Sequence, residues 1–275
     1  MAKGDHAASG GGPGRVTGRE ATRWVPWTTI SWLAVPAPDP VTDDAASGPS
    51  TGNASSSEAA KLYGRWYYDT YTVPYDEQSE HWRNFFGGVA DRIVAELAPK
   101  TALDAGCAKG FLVAALRERG VEAEGFDISD YAVSDVPEAA RGHVRVGSLT
   151  EPIEGHYDLV TCIEVIEHLD PADAVTGVNA LCSAADAILI STTPGDRGEP
   201  THVNVQPPER WSQLFALQGF YRDFRHDASY LSPWAALYRR AERSIPELVL
   251  DYDRAWSELR TETLEQRRAL LDMST

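Results

Sequence analysis

From Ser79 onward the chain switches repeatedly between two hydrophobic periods. In "SEHWRNFFGGVADRIVAEL" the apolar residues Trp82, Phe85, Phe86, Val89, Ile93 and Leu97 recur near helical spacing until Pro99 ends the run. That pattern predicts a helix lying over the strand that follows. "TALDA" is that strand, short and apolar, and "FLVAALRERG" then places Phe111, Leu112, Ala115 and Leu116 on the inner face of a second helix that stops at Gly120. "EAEGFDI", "HVRVG" and "YDLVTCIEV" give the second, third and fourth strands, and "DAILIST" the fifth, after a helix over "PADAVTGVNALCSA". Four of these strands lead into a helix or an irregular crossover, the pattern of a mostly parallel sheet with both faces covered. Farther on, "PERWSQLFALQGF" is helical, "YRDFRHDA" and "WAALYRR" are expected to close the edge as a hairpin-like pair, and Ile245 to Leu271 forms a helix on the surface or at a subunit contact.

The first part of the chain lacks this patterning. "HAASGGGPG" and "APDPVTDDAASGPSTGNASSSEA" are too rich in Ser, Gly and Pro to bury enough surface to fold alone. Between them "TRWVPWTTISWLAVPAP" carries Trp24, Trp27 and Trp32, whose indoles are expected to pack on the body of the chain or a second subunit, or to reach a substrate pocket. The expected organisation is a flexible arm over residues 1–57, an α/β domain over 58–242 and a terminal helix over 243–275. The arm and the terminal helix are the elements that would serve a homodimer or a partner subunit, although neither shows a heptad pattern that names an interface.

Composition narrows the function. The 275 residues are 43% apolar, enough to fill a sizeable core, and 25 Lys and Arg against 41 Asp and Glu give a net charge of -16. That charge repels a phosphate backbone, so a nucleic-acid partner is not expected. Cys107, Cys162 and Cys182 form no C-x-x-C pair and have no histidines at zinc-site spacing, so they read as reduced core thiols of a cytoplasmic protein with no metal site. No run of 18 apolar residues exists, and "MAKGDHAASGGGPG" has no apolar stretch behind its charges, so neither a membrane span nor a secretory signal is expected.

The chemistry gathers around "TALDAGCAKGFLVAAL" and "GFDIS". Gly106 and Gly110 permit a tight strand-to-helix turn where backbone can approach a ligand and the next helix offers free N–H groups. Asp127 lies 21 residues after Gly106, at the tip of the second strand, where a carboxylate can accept both hydroxyls of a ribose. The loop reads D-x-G-C-x-x-G, which lacks the spacing of a dinucleotide fingerprint, and Asp104 precedes its first glycine. An acid there is awkward for a pyrophosphate and suits a cationic or amino-bearing ligand.

"ALDAGCAKGFLVAAL", the acid of "GFDIS" and "YDLVTCIEVIEHL", in this order and at this spacing, resemble the class I S-adenosylmethionine-dependent methyltransferases over about residues 60–240. The resemblance implies a Rossmann-like fold, a seven-stranded mostly parallel sheet with helices on both faces and an antiparallel C-terminal edge. It also implies S-adenosylmethionine as cofactor, with Asp104, Gly106, Cys107, Ala108 and Gly110 along its methionine part and Asp127 and Ile128 at the ribose and adenine. Ser148 and Leu149 would supply adenine contacts after the third strand, where many relatives carry an acid, and Ala108 stands where relatives often have a third glycine. Within that superfamily the chain is similar to bacterial enzymes of specialised-metabolite or cell-surface sugar metabolism. The implied reaction is in-line methyl transfer to O, N or C of a small molecule. The alternative is a non-methylating member of the fold that catalyses another displacement or a cyclisation, with or without a partner subunit.

In an open α/β sheet ligands lie beyond the carboxyl ends of the strands, which brings Cys162 and Glu164 to the cofactor and places His168 just after them. The loop "STTPGDRGEPTHVNVQPPERW" enters the same crevice with His202 and Asn204. His202 is the preferred general base, with His168 and Glu164 as further catalytic candidates; for each histidine a scaffold role stays open. Tyr67 and Tyr71 before the first strand, and Tyr230 and Trp234 near the end of the domain, are the expected acceptor contacts, with core packing as the alternative for each ring.

Overall fold

The computed structural model describes residues 60–71, 75–76 and 79–273. The tryptophan-bearing arm over residues 1–57 lies outside them. Helix α1 (Glu80–Leu97) buries Trp82, Phe86, Val89, Ala90 and Ile93, the stripe its periodicity predicts, and ends where Ala98 turns left-handed before Pro99. Strand β1 (Thr101–Ala105) enters the core, α2 (Phe111–Glu118) crosses back under α1, and β2 (Glu122–Asp127) pairs with β1 in parallel. A short helix α3 (Asp130–Ser134) and strand β3 (Val144–Val146) complete that half. The other half is β4 (Leu159–Ile163), α4 (Pro171–Ala184), β5 (Ala187–Ser191), α5 (Pro208–Leu217), β6 (Phe220–Arg222) and β7 (Ala236–Arg240), followed by α6 (Ile245–Asp272).

These strands form one seven-stranded sheet in the order β3-β2-β1-β4-β5-β7-β6, parallel except where β7 runs against β5 and β6. One core, with Phe86, Ile93, Leu112 and Leu116, joins α1 and α2 to one face; a second, with Leu181, Ile188, Phe215 and Phe220, joins α4 and α5 to the other. Chain order reverses direction between β1 and β4, so the crossovers leave these neighbours on opposite faces and a crevice opens at their carboxyl ends. The seven strands, their mostly parallel pairing and the antiparallel C-terminal edge are those expected.

Boundaries differ locally. The helix expected over "PERWSQLFALQGF" stops at Leu217, and Phe220 at its end becomes the first residue of β6. The strand expected over "YRDFRHDA" survives only as far as Arg222, because Asp223 turns its carboxylate onto the Arg225 amide and the Arg239 guanidinium. Among the described residues no helix is long and apolar enough to cross a membrane. All three cysteines are free and buried.

Candidate active site

The loop from β1 to α2 is built around left-handed backbone. Gly106, Ala108 and Gly110 all have positive φ, at 81°, 48° and 68°. The Gly106 and Cys107 amides both donate to the Phe126 carbonyl of β2, at 2.8 and 3.0 Å, which folds the loop over the strand ends. A Cβ on Gly106 would stand 2.3 Å from Val165 Cγ2, so glycine here answers to a close approach as well as to φ. Ala108 holds its conformation at a cost that glycine would not incur, of about 1 kcal/mol.

Two buried carboxyls face this loop. Asp127 ends β2 and accepts from the Ala108 amide through Oδ2 and from the Ser129 amide through Oδ1, both at 2.8 Å. Burial raises its carboxyl above the ordinary range, while these backbone bonds pull the other way. Asp104 lies opposite Thr161 in the β1–β4 register and accepts the Thr161 hydroxyl at 2.6 Å. Burial pushes Asp104 up to about 7; the threonine opposes the rise and the charge of Asp127 adds to it. Lys109, in the same loop, is committed elsewhere, to Asp135 at 2.8 Å and the Tyr131 ring.

A tyrosine-rich cap lies over the crevice. The Ser129 hydroxyl donates to the Tyr63 carbonyl, and the Tyr131 hydroxyl donates to Asp69 at 3.0 Å, fixing the segment above β2. Tyr63, Tyr67 and Tyr68 stack edge to face in succession, 5.1 and 5.3 Å apart, and Tyr75 packs on Trp82 and Phe111. Burial first, and then neighbouring charges that include Asp127 for each, hold these four phenols well above their ordinary value. They remain neutral O–H donors among carboxylates. Tyr71 closes the helical turn that begins at Tyr67.

Beyond β4, Glu164 adopts φ 53°, a strained value for a residue with a side chain, and its carboxylate accepts the Thr193 hydroxyl. The Thr193 amide donates to Glu167 Oε1 at 3.2 Å. Glu167 is almost completely buried, and among the described residues its Oε2 has no hydrogen-bond partner. Burial, and then the charge of Glu164, raise Glu167 well above the ordinary carboxyl range.

His168 and His202 come together here with ring centroids 4.6 Å apart. His168 Nδ1 is 3.1 Å from the Thr201 carbonyl and His202 Nδ1 is 3.1 Å from the Asp196 carbonyl. Each Nδ1 must therefore carry the proton, which leaves Nε2 as the basic nitrogen of both rings. Burial, followed by the neighbouring His202, lowers His168 to about 4. His202 also has the Asp196 carboxylate 3.9 Å from its Nδ1. Tyr63 packs edge-on against His168 at 5.7 Å, joining the cap to the histidines.

Other expected residues are placed differently. The thiols of Cys107 and Cys162 are buried in the two cores and raised well above their ordinary value, chiefly by burial. Leu149 is a core residue packed against Gly177 of α4, and the Ser148 hydroxyl is shared with Thr150 at 2.8 Å. Ile128 is half-buried beside Asp127. Asn204 is buried, with its amide on the Glu167 carbonyl and its Oδ1 accepting from Gln206. Tyr230 packs away from the crevice, under Arg92 of α1 and against His226. Trp234 is exposed at a small cleft with Thr192, Trp211 and Arg222, beyond the end of β5.

The model of a methyltransferase domain matches residues 80–224, just over half of the chain and all of the loop, carboxyl and histidine segments described above. The chain belongs to the methyltransferase domain family. It is 32% identical over 107 residues to a ubiquinone biosynthesis O-methyltransferase of Pseudomonas paraeruginosa, covering 36% of this chain and 46% of that one. A Nitrosomonas europaea protein of the same description is 32% identical over 111 residues, 37% of this chain and 47% of the other. The chain thus spans about half the length of the curated relatives it matches. The magnesium protoporphyrin IX methyltransferase of Synechocystis PCC 6803, solved with S-adenosylmethionine bound, superposes with a TM-score of 0.51 at 20% identity, over 66% of this chain and 97% of that one. That likeness shows the fold, and these relatives do not favour the non-methylating alternative. Within the methyltransferase fold, sequence reasoning missed Thr161 and Thr193. Their only signal was the polar interruptions "VTC" and "STTP" at the ends of apolar strands.

Proposed function

We propose that this chain transfers the methyl group of S-adenosylmethionine to an O, N or C atom of a small metabolite. The observation that carries this reading is the pair of buried carboxyls, Asp104 and Asp127, facing the left-handed loop at the strand ends. Asp127 retains lone pairs beyond those used by Ala108 and Ser129, which suits ribose hydroxyls. Among the described residues no cationic side chain acts on the Asp104 carboxyl, which suits the positive charge of the ligand. The Gly106–Gly110 backbone lines the methionine part, Ile128 flanks the adenine, and Ser148 and Leu149 contribute main chain there. When bound, the cofactor supplies an activated methyl carbon on a cationic sulfur.

The remaining work of the chain is positioning and proton removal. Tyr63, Tyr67 and Tyr68 exclude water above the crevice, and Glu164 stands beside it on the strained turn after β4. His202 takes the proton of the acceptor at Nε2, with Asp196 holding its Nδ1–H; His168, lowered to about 4, stays neutral as its packing partner. Of the expected acceptor contacts, Tyr67 in the cap over the crevice is the one this reading retains, because Asn204 is buried with its Oδ1 accepting from Gln206, Trp234 stands at the cleft beyond β5 and Tyr230 packs under Arg92 of α1.

Calorimetric titration tests the cofactor half. Asp127→Ala is expected to weaken binding of S-adenosylmethionine and S-adenosylhomocysteine by about 100-fold, the loss of charge-assisted hydrogen bonds, and Asp127→Asn to fall between. An Ala variant that is folded and binds within threefold of the parent would overturn the assignment. For the acceptor half, His202→Asn is expected to lower kcat by about 100-fold with cofactor affinity unchanged, in an assay of S-adenosylhomocysteine release against a metabolite panel. A variant with full kcat would leave positioning alone to explain the rate.

A further inference from the structure

We infer that α6 pairs in parallel with α6 of a second copy of this chain, as a two-stranded coiled coil. The helix runs 28 residues and buries none of them. Its start is fixed by the Ser244–Glu247 capping box, by Arg243 on Asp251 at 2.7 Å and by Tyr252 edge-on to Phe224 at 4.8 Å. From Trp256 to Met273 every residue is exposed.

What it exposes is patterned. Ile245, Val249, Tyr252, Trp256, Leu259, Thr263, Gln266, Leu270 and Met273 are spaced alternately four and three apart, the 3.5-residue repeat of a left-handed coiled-coil seam. Trp256, Leu259 and Leu270 are each about two-thirds exposed, at 65%, 65% and 66%. Soluble monomers rarely leave so continuous an apolar row in water. Thr263 and Gln266 interrupt the row and hide it from sequence reasoning; the exposure of the whole helix brings it out.

Charge selects the occupant and its direction. With Val249, Trp256, Thr263 and Leu270 at a positions and Tyr252, Leu259, Gln266 and Met273 at d, Glu262 falls at g and Arg267 at the following e. A parallel second copy sets Glu262 against Arg267 of the other helix, twice by symmetry. An antiparallel pairing centred on Leu259 sets Arg260 against its own copy. In-register parallel packing also brings Thr263 and Gln266 onto their own counterparts, where polar groups meet polar groups; a slipped register would set them against leucine. The inference does not depend on the methyl-transfer reading.

Sedimentation equilibrium of the full chain at micromolar concentration tests it. The parent is expected to be a dimer, and Trp256→Glu with Leu259→Glu, which keeps good helix formers in place, is expected to halve the mass while the thermal transition of the α/β body persists. Thr263→Cys is expected to form a disulfide-linked dimer on treatment with diamide, against a low background because Cys107, Cys162 and Cys182 are buried. A monomeric parent overturns the proposal. So does a dimer that survives the double substitution, which would hand the interface to the arm over residues 1–57 or another surface. A dimer that Thr263→Cys fails to link overturns the parallel arrangement.

Discussion

Asp104→Asn is expected to make the protein more stable at pH 8 and at the same time to cost it its ligand. The folded chain holds the Asp104 proton up to about pH 7, whereas the ordinary aspartate value is 3.8. Folding therefore takes up a proton between those values; the contribution of this site is fully present below pH 3.8 and is lost as pH rises through about 7. At about 1.4 kcal/mol per pH unit the gap corresponds to about 4 kcal/mol at most, and local relaxation reduces it to about 2. Asparagine keeps the acceptor for the Thr161 hydroxyl and removes the charge. Chemical denaturation at pH 5 and pH 8 should show the parent losing stability across that interval and the variant staying level. In calorimetry the variant should bind S-adenosylmethionine about 30-fold more weakly, because the carboxylate that would face the cationic ligand is gone. For the parent, binding should also weaken as pH falls below about 7, since a cation favours the ionised acid. A variant no more stable at pH 8 would show that Asp104 is already ionised through a partner, and intact binding would remove Asp104 from the cofactor site.

Much of this site was legible in the sequence because its first layer is written in local signals. A glycine turn after an apolar strand, and an acid at the tip of the next, fix Gly106, Gly110 and Asp127 through φ and strand alternation alone. What was not legible depends on register between strands and on which way a loop folds. Thr161 reaches Asp104 because β1 and β4, far apart in sequence, pair with those residues opposite. Thr193 reaches both Glu164 and Glu167 because β5 ends beside β4. The side chains of Cys162 and Leu149 lie in the core, the first by the two-residue period along β4 and the second because the turn after β3 packs it on Gly177. For Tyr230 the core alternative holds: an aromatic in an irregular segment carries no periodicity, and this one packs in the core with α1, under Arg92 and against His226. The edge strand β6 was legible as a hairpin partner, but its boundary was set by the arginine partners of Asp223.

Gly106→Ala is expected to damage the protein more than any other single methyl group added to this loop. Two penalties coincide at that position. A φ of 81° lies in the left-handed region, where a Cβ costs about 1–2 kcal/mol. The new methyl would also meet Val165 Cγ2 at 2.3 Å and Cγ1 at 3.0 Å, so the end of β4 has to move, at about 1–3 kcal/mol more. The loss should total about 3 kcal/mol in urea denaturation, and because the shift runs directly into Glu164 and the crevice, cofactor binding should fall with it. Val165→Ala in the same chain separates the two terms. It removes both offending methyls but leaves Val165 Cβ at 3.2 Å and leaves φ unchanged, so it should restore the clash term and little else. Recovery to parental stability in the double variant would show that the left-handed backbone at residue 106 carries no cost. No recovery would show that contact with the end of β4 is not what excludes a side chain. The pattern expected, partial return of stability together with partial return of binding, ties the close packing of β1's loop on β4 to the ability of the crevice to hold its ligand.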